Sequence, residues 1–199
     1  TESIAGVPLI QRLQSAFDAI PVDPETNLVF TSESERAVDL IFRDSAFITG
    51  QLLWPSMQRY RAAGHLNDLY AILGDAAACG RLNRIRRKIG ESLPVVLCPQ
   101  PGRGWLRAST DISPQEDVWG TLYALHANLL PEYLAVTPRR QVMRAMEDGT
   151  ILYEAAVRHV PTDGDASPAS MWEKCGSPHN RYQNGAYWHM PTGWLISAL

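Results

Sequence analysis

The residues best suited to chemistry are four carboxylates and one run of rings and amides. Asp44 stands in "FRDSAFITG", Glu116 and Asp117 in "SPQEDVWG", and Glu173 in "MWEKCG". Glu173 follows Trp172 directly. A carboxyl set against an aromatic ring loses solvation, which suits a general acid. The run is "NRYQNGAYWHMPTGWLISAL", residues 180 to 199. It gathers Tyr182, Gln183, Asn184, Tyr187, Trp188 and His189. Aromatic faces stack on flat CH surfaces such as those of a sugar ring. The amides of Gln183 and Asn184 each offer a donor and an acceptor to neighbouring hydroxyls. Gly185 lets the backbone approach a ligand or take a positive φ. The same composition also suits a buried aromatic cluster whose amides satisfy backbone groups.

Metal chemistry finds little support. His159, His179 and His189 form no HExxH or similar pattern, and His126 falls inside an apolar helical stripe, where it reads as a satisfied core histidine. The three cysteines, Cys79, Cys98 and Cys175, are widely spaced. An odd count without C-x-x-C pairs speaks against a disulfide framework and a zinc site. No cofactor is expected. Reduced thiols fit a cytoplasmic setting, with secretion the alternative if an export signal has been removed. The chain starts at Thr1 and not Met, so an upstream piece is expected to be missing.

The totals narrow the class further. A length of 199 residues suits one domain or a large piece of one. Apolar content of 45% and charged content of 20% exclude the disordered class. A net charge of -3 gives no electrostatic basis for a nucleic-acid or anionic-membrane partner. The basic stretch "RLNRIRRKIG" reads as a solvated helix face. No apolar run approaches the ~20 residues that span a bilayer.

The elements that must position these groups are helices in hairpin pairs, joined by loops rich in Pro, Gly and Trp. Ile10, Leu13, Phe17 and Ile20 give a weak first helix. From about Thr49 to Leu73, Leu53, Met57, Tyr60, Leu66, Leu69, Tyr70 and Leu73 give a stronger one. Pro55 begins or kinks it. Gly74 stops it, and Asp75 caps the antiparallel return carrying Leu82, Ile85 and Ile89. Val95 to Leu97 reads as a short buried strand, followed by a loop shaped by Pro99, Pro101, Gly102 and Gly104. The next helix is predicted to start at Ser113, with Pro114 at N1 and Glu116 completing a capping box. Thr137 and Pro138 are predicted to open the following helix, and Gly149 to close it. From Ile151 to Trp188 the pattern is irregular, with "TDGDASPAS" as a loop.

Four stretches, in order, resemble the six-hairpin glycosidases: "FRDSAFITGQLLWPSMQRYRAAGHLNDLYAILGD", "GWLRASTDISPQEDVWGTLYAL", "VRHVPTDGDASPASMWEK" and "YQNGAYWHMPTGWLISAL". The resemblance covers about residues 28 to 199. It implies an all-α (α/α)6 toroid with short irregular β elements in its loops. About half of that toroid would be present, and residues 1–199 would form a partial catalytic domain. It also implies a glycoside hydrolase, mostly inverting, that acts on an oligosaccharide or glycoconjugate.

Such a hydrolase needs two carboxyls across the glycosidic bond, and in an inverting enzyme they stand ~6.5–9.5 Å apart. In these toroids the site lies where inner helices begin, which points to Glu173, Asp44 and Asp117 as catalytic candidates. Glu116 is a weaker one because of its capping role. The structural alternatives are an ion pair of Asp44 with Arg36 or Arg43, a helix-dipole contact for Asp117, and a salt bridge of Glu173 with Lys174. Tyr182, Gln183, Asn184, Tyr187, Trp188 and His189 are the expected carbohydrate-binding set. Trp54, Trp105 and Trp119 read as core. Competing readings are a sugar epimerase or polysaccharide lyase acting through His159 or His189, and a non-catalytic carbohydrate-binding relative.

Overall fold

The computed structural model describes residues 2–32, 44–98, 102–162 and 171–199. Pro99 and Pro101, the loop at 163–170, and the Arg36 and Arg43 candidates for pairing with Asp44 lie outside the described residues.

The first helix, α1 (Leu9–Asp18), follows a two-stranded ribbon of β1 (Ser3–Ile4) and β2 (Val7–Pro8). Ala5 and Gly6 turn that ribbon with positive φ, as a tight two-residue hairpin requires. Phe17 is the buried anchor of α1, whereas Leu13 remains exposed. β3 (Phe30–Thr31) then pairs with β4 (Gly50–Gln51).

The long helical hairpin forms as expected from α2 (Leu53–Ile72) and α3 (Ala76–Val96), packed against each other. Pro55 sits in the first turn of α2, where a missing N–H costs nothing. Gly74 takes φ +76 at the turn. The Asp75 carboxylate accepts from Ala78 N at 2.9 Å. Met57, Leu82, Ile89 and Leu93 are fully buried along the hairpin.

The second half contains α4 (Val118–His126), α5 (Glu132–Glu147) and α6 (Thr192–Ala198). A three-stranded antiparallel sheet joins β5 (Leu152–Tyr153), β6 (Ala156–Arg158) and β7 (Tyr187–Trp188). Every residue of α4 up to Leu125 is buried, so α4 is the central element. It packs on α2, α5, α6 and β6.

This architecture corrects the expected all-α toroid. Among the described residues, six helices are interleaved with seven short strands in three small antiparallel sheets. The cause is local. Pro, Gly and Trp break the 3.6-residue period between the helical runs, and the backbone there satisfies its polar groups through short ladders.

Several boundaries shift for related reasons. Val95 and Val96 close α3 instead of forming a strand, and Val95 is largely exposed. Thr137 and Pro138 lie inside α5, which starts after Pro131. Gly149 does close that helix, at φ +69. His126 ends α4 in an exposed position, with Nδ1 at the Ser197 hydroxyl, so it is not a core histidine. Ser113 caps nothing. It is buried at φ +60, where its hydroxyl accepts from Lys174 N at 3.2 Å. Asp117 is the true cap of α4, accepting from Gly120 N at 2.8 Å.

Gly120 makes this cap possible. A Cβ there would lie 2.4 Å from Leu53 Cδ2 and 2.5 Å from Asp117 Oδ2. Alanine would raise helix propensity by about 1 kcal/mol, but overpacking a core costs about 1–3 kcal/mol, and Leu53 has no room to withdraw. Gly120→Ala is therefore expected to lower the urea midpoint. A raised midpoint would contradict this packing.

Candidate functional site

One antiparallel contact positions the candidate residues. Ala46 pairs with Cys175, Phe47 N donates to Lys174 O at 2.9 Å, and Gly176 N donates to Ser45 O at 2.8 Å. Asp44 and Glu173 continue the two paired segments beyond opposite ends of this ladder. Four residue rises separate them, about 13 Å along the strand direction.

Against the Asp44 end lies the 180–185 loop. Asn180, Tyr182 and Gly185 all have positive φ. Tyrosine rarely adopts that conformation, and such strain concentrates at functional sites. Arg181 and Asn184 form an antiparallel bridge across the loop. The fold thereby buries Gln183 and Asn184 while Tyr182 stays 46% exposed.

Gln183 is the hub. Its Oε1 accepts from Ser45 N and Ser45 Oγ, both at 2.7 Å. Its Nε2 donates to Asp44 Oδ1 at 2.6 Å. The Tyr182 hydroxyl donates to the same carboxylate oxygen at 3.3 Å. Lost solvation, then the neighbouring Asp44 charge and that hydrogen bond, push the Tyr182 phenol above its ordinary pKa. It therefore stays a donor toward Asp44. Asp44 itself is exposed, so one carboxylate is held in a fixed orientation on an open surface.

Asn184 serves the scaffold. Its Oδ1 accepts from Trp172 N and its Nδ2 donates to Ser177 O, both at 2.9 Å. The Trp172 indole donates to Gln183 O at 2.9 Å. Trp188 donates to Tyr182 O at 3.1 Å, and its ring lies 5.5 Å from the Tyr182 ring, tilted by 60°. Tyr182, with Trp188 packed against it, thus places one aromatic ring beside Asp44.

The other expected residues separate from this surface. Tyr187 neighbours Trp188 on β7 and points to the opposite face, where it meets the Tyr153 ring at 5.8 Å and the Arg158 guanidinium. His189 is exposed, and its carbonyl accepts from Thr192 N. Glu173 is exposed, with Oε2 accepting from Ser113 N at 3.0 Å. Asp117 is fully buried at its cap. His159 is buried and stacks on Trp119 at 3.5 Å, edge-on to Trp172 and Trp188.

Four neighbours were missed by sequence reasoning. Ser45, Ser177 and Cys175 join the Gln183 hub: Ser177 Oγ donates to Ser45 Oγ at 3.0 Å, and Cys175 Sγ lies 3.5 Å from Ser45 Oγ. Arg158, buried on β6, donates to Asn180 Oδ1 at 3.0 Å and braces the loop. No local pattern signals contacts 130 residues apart. Among the described residues, no group of three His, Cys, Asp or Glu side chains is placed to hold a metal ion. No helix among them is long and apolar enough to cross a membrane. No family model, curated protein or solved structure matches the chain.

Glu116 bridges to the backbone of Arg107, and its Oε1 lies 3.5 Å from Arg103 Nη1. Burial pushes its carboxyl above the ordinary range, opposed by Arg103 and Arg107. A raised folded-state pKa means that the native state binds the proton more tightly than the unfolded chain. Stability therefore falls as pH rises from the unfolded pKa through the folded one, and stays lower above it. Glu116→Gln is expected to flatten that part of the stability–pH curve, read by urea denaturation from pH 4 to 8. An unchanged curve would show that Glu116 does not carry the dependence.

Gly185, at φ +96, would place a Cβ 2.4 Å from Arg158 Nη2. Gly185→Ala is expected to cost about 1–3 kcal/mol and to change Trp188 emission. Wild-type stability with unchanged emission would contradict the loop geometry.

Proposed function

We propose that the chain is a glycoside hydrolase that cleaves an oligosaccharide or glycoconjugate by acid/base catalysis, with Asp44 as its working carboxylate. The observation that carries this reading is the double grip on Asp44 Oδ1 by Gln183 Nε2 and Tyr182 Oη. That grip fixes an exposed carboxylate beside the half-exposed Tyr182 ring. Oriented carboxylates move protons at glycosidic oxygens, and aromatic faces stack on sugar rings. The resemblance of "YQNGAYW" and its companion stretches to the six-hairpin glycosidases supports the same chemistry. Glu173 stands about 13 Å from Asp44 along the strand direction, wider than the ~6.5–9.5 Å of an inverting pair, so it is not proposed as the partner of Asp44. Asp117 is set aside, because its burial and its cap on Gly120 account for it.

A carbohydrate-binding relative without turnover is the second reading. It is favoured by the spread of Asp44 and Glu173 to opposite ends of the paired segments.

Both readings are tested by assaying the purified protein on a panel of glycosides, alongside Asp44→Asn and Glu173→Gln. The hydrolase reading expects turnover to fall by about 10²–10⁴-fold in Asp44→Asn, with the thermal transition intact. Near-normal turnover in Asp44→Asn would overturn the assignment. Sugar-dependent tryptophan fluorescence without hydrolysis by the wild type would favour the binding reading.

A further inference from the structure

The α2–α3 hairpin and the end of α4 enclose an open cleft of about 380 Å³. That volume lies in the range of small-ligand sites. None of its lining residues belongs to the Asp44 surface, so it is a separate place on the molecule. We propose that this cleft binds a small dianion, a phosphate group or a dicarboxylate, through Arg61 and Arg86.

The chain as a whole is acidic, with a net charge of -3. The cleft is the reverse: two guanidiniums face a single carboxylate, Asp68. Among the described residues, neither arginine forms an ion pair. Arg86 Nε is shielded from solvent without a hydrogen-bond acceptor. An anion bound between the two guanidiniums is attracted to both, and one carboxylate does not neutralise them.

Tyrosines hold both arginines in place. The Arg86 guanidinium lies over the Tyr60 ring at 4.6 Å from its centroid. Arg61 donates to the Tyr123 hydroxyl and lies 6.0 Å from that ring. Cation–π contact and the hydrogen bond restrict side chains that would otherwise be mobile. A restricted guanidinium loses less freedom when it grips an oxyanion, and its planar fork matches one bidentately.

Helix geometry explains the convergence. Arg61, His65 and Asp68 follow one another at i, i+4 and i+7 on α2 and share a face. Arg86 reaches across from α3 and lies against Gly64, where a Cβ would stand 3.4 Å from Arg86 Cζ. The bare backbone at Gly64 lets the Arg86 guanidinium lie close against α2. His65 and His126 also line the cleft.

The test is calorimetric titration of the purified protein with inorganic phosphate and, separately, with malonate, in a chloride buffer of fixed ionic strength. Saturable binding of at least one anion is expected, and the stronger of the two identifies the ligand class. Arg61→Gln and Arg86→Gln should each weaken it by about tenfold or more, with helical circular dichroism unchanged. Asp68→Asn should tighten it several-fold, a gain that misfolding cannot mimic. Asp44→Asn should leave it unchanged, which keeps this site distinct from the proposed hydrolase. Absence of saturation with both anions, or wild-type affinity in both arginine variants, would overturn the proposal. So would weaker binding in Asp68→Asn.

Discussion

The buried amide of Gln183 is the interaction on which the candidate site depends. Its oxygen holds Ser45 by backbone and hydroxyl, and its nitrogen holds Asp44. A primary amide can accept from a backbone N–H through its oxygen and donate to a carboxylate through its nitrogen at once. A carboxylate at position 183 would repel Asp44, and an apolar residue would strand Ser45 N. The strained loop around it follows from the same demand. Positive φ at Asn180, Tyr182 and Gly185 folds the chain tightly enough for Gln183 to point inward while Tyr182 stays at the surface. Arg158 and Trp172 then brace the loop from behind.

A second constraint is the burial of α4. Trp119 is fully buried and its indole donates to Val157 O at 3.2 Å. Val118 N donates to His159 O at 2.9 Å. Asp117 caps the helix from inside the core. The arrangement uses a charged residue for structure in a place where charge is costly, offset by hydrogen bonds to a helix N-terminus. This is why a carboxylate at a helix start, so often a sign of chemistry, is here explained by folding alone.

Part of the local structure is legible in the sequence, and the long-range contacts are not. The α2–α3 hairpin, the Gly74 stop and the Asp75 cap follow from neighbours a few residues apart. So does the left-handed Gly149 that closes α5. The start of α4 misled for a physical reason. "SPQE" satisfies every local rule for a capping box, yet Ser113 is drawn away by Glu173 and Lys174, which lie 60 residues on. Tertiary hydrogen bonds outweigh a cap worth about 1 kcal/mol. At the candidate site, the ring and amide composition of "YQNGAYW" and the carboxylate of Asp44 are each legible in the sequence. Their direct contact was invisible, because it depends on the pairing of Ala46 with Cys175. The toroid expectation failed for the same kind of reason. Helical periodicity reports what each helix does and says nothing of how the segments between helices satisfy their backbones.

The distance along the chain between Asp44 and Gln183, 139 residues, also bears on the order in which the molecule assembles. Helical hairpins close short loops and form early, whereas contacts of high sequence separation must first overcome a large loop-closure entropy. During synthesis the N-terminal part emerges first. The α2–α3 hairpin can therefore be complete while Asp44 still lacks its Gln183 donor. The carboxylate acquires its fixed orientation only after the 180–185 loop has been made and has docked. Assembly of the surface around Asp44 is thus a late checkpoint: a chain interrupted before Gln183 can form the α2–α3 hairpin but lacks α6 and never builds the site.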